Sequence, residues 1–250
     1  DLDYDSLEKL INYQINSGIS GLVEVGTTGE SATIDFKDHI KLIEFFVKVN
    51  KGRVHIIAGT GANSTEEALH LTKEAKSAGA DAALLVSPYY NKPPQEGIYY
   101  HHMKIADEVD IPQILYNVPS RTASFIEPET VLRLSSHKNI IGIKDATGDM
   151  KNHSEVLKLC KEEIENNNFL LYSGDDFSSL EFLKNGGHGT ISVTSNIVPD
   201  IVSEICKFAD TNYSKAKELD DSLKVLNKNL FCESNPCLLY TSDAADESVR

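Results

Sequence analysis

The stretch IIGIKDATG, residues 140–148, reads as a buried β-strand that carries a lysine. Ile140, Ile141 and Ile143 supply the β-branched apolar run, and Gly148 closes it. Lys144 stands where a sheet interior ordinarily takes Val or Leu, and burying an ammonium without a partner costs several kcal/mol. A strand that keeps a lysine there needs a chemical reason for it.

Six further runs share this strand's character: 21–29 (GLVEVGTTG), 54–61 (VHIIAGTG), 81–90 (DAALLVSPYY), 111–119 (IPQILYNVP), 169–176 (FLLYSGDD) and 189–196 (GTISVTSN). Helical patterns lie between them. STEEALHLTKEAKSAG has Ser64 as N-cap, Glu67 at the capping-box position and Gly79 past the last turn. EPETVLRLSSH opens with Pro128 in its first turn, and DFSSLEFLKNGG stops at paired glycines. Such alternation predicts an α/β fold with a parallel sheet and right-handed crossovers. Seven runs at near-constant spacing favour a (β/α)8 TIM barrel over an open doubly wound sheet. The open sheet would carry a dinucleotide fingerprint, and GTGANS (59–64) lacks its third glycine.

The chain opens on a helical pattern, 4–18, with no strand run before it. The expectation is a barrel lacking its first strand and its C-terminal helices. Residues 1–236 would form the barrel domain with the start of a C-terminal helical segment. Residues 237–250 (CLLYTSDAADESVR) have no amphipathic pattern and read as a non-native or disordered tail.

With 40% hydrophobic and 25% charged residues, the composition is that of a globular domain with a real core. The formal net charge of −14 argues against nucleic acid and anionic membranes as partners. No apolar run reaches the length of a membrane span, and DLDYDSLEKL is not a signal sequence. Cys160, Cys206, Cys232 and Cys237 show neither a CxxC pair nor zinc-type spacing, which fits a reducing cytoplasm. His101–His102 reads as surface helix rather than metal site.

In a (β/α)8 barrel the active site lies at the C-terminal ends of the strands. That rule gathers Gly26-Thr27-Thr28-Gly29-Glu30, Tyr89-Tyr90-Asn91, Tyr116-Asn117 with Ser120-Arg121-Thr122, Lys144-Asp145 and Ser173-Gly174-Asp175-Asp176 at one rim. Taken singly, a strand tyrosine is core and GTTG is a tight turn. Together they surround one lysine. Desolvation favours the neutral form of an amine, and a neutral amine attacks ketones to form a Schiff base whose iminium is an electron sink. The plainer reading is a lysine that snorkels or pairs with Asp145.

The runs GTTGESAT (26–33), SPYYNKPPQEG (87–97), YNVPSRT (116–122), GIKDATGD (142–149), SGDD (173–176) and GGHGTISVTSN (186–196) resemble, in order, the dihydrodipicolinate synthase / N-acetylneuraminate lyase family of lysine-dependent aldolases. The resemblance covers residues 1 to about 236. It implies that Lys144 forms an imine with pyruvate, that Tyr116 relays protons, and that Thr27 and Tyr90 complete the relay, Tyr90 from a neighbouring subunit. Thr28 and Gly29 of the GTTG turn would hold the pyruvate carboxylate, with Gly174 and Ile191 also lining the substrate. Arg121 would receive the carboxylate of L-aspartate 4-semialdehyde. The Thr27-Thr28 pair and Arg121 look like the branch that makes 4-hydroxy-tetrahydrodipicolinate for lysine and diaminopimelate. The alternatives are a sister aldolase acting on N-acetylneuraminate or keto-deoxy sugar acids, and an inactive truncated barrel. The resemblance further implies a homotetramer, no metal or organic cofactor, and lysine as a feedback ligand near Ser31, Ala32, His39, Asn63, Glu67 and Tyr89. Phe36 departs from the histidine often found in lysine-sensitive members.

Overall fold

Seven strands lie side by side in chain order: β1 (Gly21–Glu24), β2 (His55–Gly59), β3 (Ala82–Val86), β4 (Gln113–Asn117), β5 (Ile140–Asp145), β6 (Leu170–Ser173) and β7 (Gly189–Thr190). Every neighbouring pair is parallel. The structure is a computed structural model and describes residues 2–240. Among those residues β1 and β7 do not pair, so the sheet has seven strands and is open between its edges. Val23 of β1, Ile57, Leu84, Ile114, Ile141 and Tyr172 of β6 nevertheless share one apolar cluster. Side chains from the first and sixth strands can meet only if the sheet curls, which gives the barrel interior. The fold is the β/α barrel that the strand–helix rhythm predicted.

The helices are α1 (Tyr4–Asn16), α2 (Phe36–Asn50), α3 (Thr65–Ala78), α4 (Gln95–Glu108), α5 (Pro119–Thr122), α6 (Pro128–Ser135), α7 (Met150–Leu159), α8 (Lys161–Glu165), α9 (Ser179–Lys184), α10 (Pro199–Phe208) and α11 (Tyr213–Leu230). Their starts are chemically marked. Asp35 accepts from the Asp38 amide at 2.9 Å, Ser64 from the Glu67 amide at 3.4 Å, and Asp149 from the Lys151 amide at 2.8 Å. Gly79 ends α3 at φ +94°, a left-handed conformation that costs glycine little. The outer core packs Leu115, Ile140, Ile143, Phe169 and Leu171 from the sheet region against Ile98, Val131, Leu134 and Val156 of the helices.

One register slip decides where Lys144 points. Gln113 pairs with Ile140, but the next residue, Ile114, pairs with Gly142, leaving Ile141 as the extra residue. Ile140 packs outward against the helices and Ile141 inward. Strict alternation from either would send Lys144 to the helix side. The slip reverses the phase, so Ile143 packs outward and Lys144 lies beside Tyr116 on the inside.

One feature differs from the sequence reading. His101 and His102 are not surface residues: they are 4% and 0% exposed. They fall between Ile98 and Ile105 in the buried stripe of α4 (98, 101, 102, 105, 106), the i, i+3, i+4, i+7 face of a core helix. Burial pushes His101 down to about 4 and holds His102 well below the usual histidine range. The expected tail, 237–250, lies mostly outside the described residues. Cys237 to Tyr240 are described, and the Tyr240 hydroxyl donates to the Glu30 carboxylate.

Glu24 is the most unfavourably placed charge-bearing group of the sheet. It is 1% exposed, and neither carboxylate oxygen has a hydrogen-bond partner. Its register partner Ala58 packs with Leu42 and Ile43, so Glu24 belongs to the apolar layer between sheet and helices. Burial holds its carboxyl well above the ordinary value of 4.5. The folded state therefore keeps this proton at pH values where the unfolded chain has lost it. Its contribution to stability is present below pH 4.5 and is lost as pH rises through the folded-state value. Glu24→Gln should accordingly raise Tm more at pH 8 than at pH 5, by about 2–4 °C for each kcal/mol recovered. Equal shifts at the two pH values in a thermal melt would refute this placement.

Candidate active site

At the C-terminal rim, β5 brings Lys144 into register with Tyr116 of β4 on one side and Tyr172 of β6 on the other. The Lys144 Nζ lies 4.3 Å from the centre of the Tyr116 ring. That is cation–π distance, so the ring supplies part of the stabilisation an isolated ammonium would lack. Tyr116 is 6% exposed, while Lys144 itself is half-buried. Burial pushes the Tyr172 phenol up. Tyr172 was not among the residues singled out from the sequence; its register position beside Lys144 identifies it only once the sheet is seen.

Gly174 follows β6, and its amide donates to the Asp145 carbonyl at 2.7 Å, tying the ends of β5 and β6 together. A Cβ at residue 174 would lie 2.8 Å from the Lys144 Cε and 2.9 Å from the Ala146 Cβ. The lysine stem runs through the space that glycine leaves. Across the mouth, the GTTG turn is held by the Glu30 amide on the Thr27 carbonyl (3.1 Å) and the Ser31 amide on the Gly26 carbonyl (3.3 Å). Val25 and Glu30 bracket it at φ +46° and +52°. A β-branched residue in that region is strained, and such strain is typical of functional turns.

Thr27, Thr28, Gly29, Tyr116, Arg121, Lys144, Gly174 and Ile191 all line one cavity. Its volume of about 1670 Å³ exceeds the ~300–1,000 Å³ usual for a small-molecule site, because the cavity continues through the opening between β1 and β7 to α1. Arg121 projects from α5, the short helix after β4, and its Nη2 donates to the Asn235 carbonyl at 2.9 Å. The Asn235 side chain in turn donates to the Thr28 hydroxyl at 3.0 Å. Asn235 lies just beyond α11, and the sequence reading gave it no role. No hydrogen bond joins Thr27 to Tyr116 among the described residues, although both line the cavity.

Tyr90 is not part of that wall. It is 88% exposed, at φ +73°. Of the residues expected around a regulatory ligand, His39, Asn63, Glu67 and Tyr89 come together beyond the ends of β2 and β3, outside the lining of that cavity. Glu67 acts electrostatically on His39 and Tyr89, and Tyr89 hydrogen-bonds the Asn63 backbone. His39 Nε2 is 2.8 Å from the Gly59 carbonyl and is held low by burial. Burial, followed by the Glu67 charge, pushes the Tyr89 phenol up. Ser31 and Ala32 form a 3-10 turn, Ser31–Thr33, just after the GTTG turn. Phe36 stacks on His70, ring centres 4.6 Å apart and planes at 1°. Among the described residues no group of three or more His, Cys, Asp or Glu could hold a metal ion, and no helix is long and apolar enough to cross a membrane.

A parallel β/α barrel whose rim sets a lysine between two tyrosines, opposite a glycine-flanked threonine pair and an arginine, is built as a lysine-centred barrel enzyme. The chain belongs to the dihydrodipicolinate synthetase family, whose model matches residues 1–245. It is 52% identical over 236 residues to a 4-hydroxy-tetrahydrodipicolinate synthase of Pseudomonas putida, covering 94% of this chain and 79% of that one. Among solved structures, the chloride-inhibited dihydrodipicolinate synthase of Acinetobacter baumannii complexed with pyruvate superposes at TM-score 0.90 with 47% identity, covering 94% and 79% of the two chains. The enzyme of Cyanidioschyzon merolae with lysine bound gives TM-score 0.89 at 34% identity, with the same coverage.

Proposed function

We propose that this protein condenses pyruvate with L-aspartate 4-semialdehyde to give 4-hydroxy-tetrahydrodipicolinate, a lyase-class step toward diaminopimelate and lysine. The observation that carries the reading is Lys144 held 4.3 Å from the Tyr116 ring in the cavity that also contains Arg121 and the GTTG turn. The family relatives of that name support it.

The Lys144 amine attacks the pyruvate ketone and water leaves, giving an imine. Tyr116 moves the protons that this addition and the following enamine formation require. The iminium takes up the electron pair released from the methyl group, so the chemistry needs neither metal nor organic cofactor. The enamine carbon then attacks the aldehyde, and the amino group of the joined product displaces Lys144 and closes the ring. Thr28 and the backbone amides of the GTTG turn, Gly29 included, hold the pyruvate carboxylate. Gly174 and Ile191 shape the space beside it. Arg121 offers a planar fork to the second carboxylate, which a lysine could not match. Thr27 and Tyr90 extend the proton path, Tyr90 by reaching into a neighbouring subunit of a homotetramer, which its exposure allows. Lysine binds at the group formed by His39, Asn63, Glu67 and Tyr89 together with Ser31 and Ala32, and inhibition of turnover by added lysine reports on it. The four free cysteines suit a cytoplasmic enzyme.

Turnover of pyruvate with L-aspartate 4-semialdehyde, measured beside cleavage of N-acetylneuraminate and keto-deoxy sugar acids, tests the reading; activity only on the sugar acids would sink it. Arg121→Ala should lower kcat/KM for the semialdehyde by about 10²-fold, the loss of a charge-assisted fork. Trapping of pyruvate alone by borohydride should be nearly unchanged. Equal loss in both assays would mean that Arg121 only holds the rim together.

A further inference from the structure

β7 is the shortest strand of the sheet, yet the segment after it forms one wall of the cavity. The strand is two residues long, Gly189–Thr190, and among the described residues it pairs only with β6. Ile191, Ser192 and Val193 then run along the cavity. The Ile191 amide donates to the Ser173 carbonyl at 2.8 Å, one residue before the glycine that makes room for the Lys144 stem. Sheet pairing stops there. The far end of the segment is held by α1, whose Gln14 Nε2 donates to the Ser195 carbonyl at 2.8 Å.

A buried network holds the stretch between. One carboxylate oxygen of Asp176 accepts from the Val193 amide at 2.9 Å and from the Thr194 amide at 3.0 Å. The Thr194 hydroxyl donates to Asn227 Oδ1 at 2.6 Å, and Asn227 Nδ2 donates to the Asp176 carbonyl at 3.2 Å. A backbone carbonyl can only accept, so the direction of the Asn227 amide is fixed by chemistry. Thr194, Asn227 and Asp176 are 1%, 5% and 6% exposed. Removing one partner therefore leaves a buried polar group unpaired. None of the three lines the cavity, so none can touch a substrate there. Their effect must pass through residues 191–193.

We propose that Thr194 and Asn227 are positioning residues for the keto acid: with Asp176 they fix residues 191–193 on the Lys144 side of the cavity, so that pyruvate is held for attack by the amine. The inference rests on the condensation proposed above. It adds that imine formation depends on a side chain of α11, a helix whose Ala216 and Leu223 pack with α9 and α10 outside the barrel.

The experiment measures kcat/KM for pyruvate and for the semialdehyde in Thr194→Val, Thr194→Ser and Asn227→Leu, with Tm and borohydride trapping at low pyruvate. In a two-step scheme each kcat/KM reports its own half-reaction. Thr194→Val keeps the shape and removes the hydroxyl, so kcat/KM for pyruvate and the trapping rate should fall about 10-fold, the cost of an unpaired buried acceptor. The value for the semialdehyde, which attacks an imine already formed, should fall much less. Thr194→Ser keeps the hydroxyl and should stay near the wild type on both. Asn227→Leu removes both bonds and should exceed Thr194→Val on pyruvate; if it does not fold, the valine variant decides alone. A role in stability only would lower Tm and the fraction of active molecules, and with them both kcat/KM values equally. That result would overturn the proposal and leave the condensation standing. So would a serine variant as poor as the valine one. Failure of the wild type to trap pyruvate would remove both.

Discussion

Lys144→Arg should give a folded protein that no longer acquires a pyruvate adduct. In the wild type, pyruvate and borohydride should add a reduced three-carbon acid to the peptide that contains Lys144, detectable by mass. The variant should add none, and turnover should fall to background. The reason lies in the chemistry of the two cations. An amine can shed its proton and attack a ketone, whereas a guanidinium stays protonated and its lone pairs are delocalised. Packing changes little, since the arginine stem can follow the same path beside Gly174 and its planar head can stack on Tyr116, 4.3 Å from the present Nζ. Far-UV circular dichroism and Tm should therefore resemble the wild type. An adduct that maps to another lysine, or that survives in Lys144→Arg, would show that the nucleophile lies elsewhere.

Why was so much of this site legible in the sequence, and Asn235 and the buried histidines not? The strands were legible because each is a short β-branched run bounded by glycine or polar turns, and local composition is enough to mark such a run. The rim residues followed from one topological rule, that chemistry gathers where parallel strands end. The facing of Lys144 was a different matter. IIGIKD is apolar on both sides up to the lysine, so it carries no alternation to read. Its inward direction depends on the slip at Ile141, which exists only in the pairing with Gln113 and Ile114. Asn235 was missed for a related reason. It lies 207 residues from Thr28 and 114 from Arg121, and nothing local distinguishes an asparagine in a turn after a helix from one that crosses a barrel mouth. The histidine pair is buried rather than on the surface because helical spacing, not side-chain polarity, sets which face of α4 meets the core. Residues 98, 101, 102, 105 and 106 mark a buried face whatever their chemistry. The resemblance assigns Tyr90 to a neighbouring subunit's site, and its ring stands exposed on this chain.

Gly174→Val should be the most damaging change among residues that take no chemical part. Gly174 does not have the positive φ that would itself require glycine; what it supplies is room. A Cβ there would stand 2.8 Å from Lys144 Cε, 3.1 Å from Lys144 Cγ and 2.9 Å from Ala146 Cβ. The lysine stem is flexible and can yield, but the Ala146 Cβ is fixed to the backbone just past β5. Relief must come through Lys144, and it moves the amine away from Tyr116. A misplacement of about 1 Å costs on the order of 10²-fold in rate. The expected result is a comparable fall in kcat and in the rate of borohydride trapping. Tm should drop only slightly, since the residue sits at the half-buried rim rather than in the core. Gly174→Ala should fall between, because one methyl makes the same close contacts with fewer atoms to accommodate. Unchanged trapping in the valine variant would mean that the lysine reaches its substrate by another path, and that the glycine after β6 serves the backbone bond to Asp145 alone.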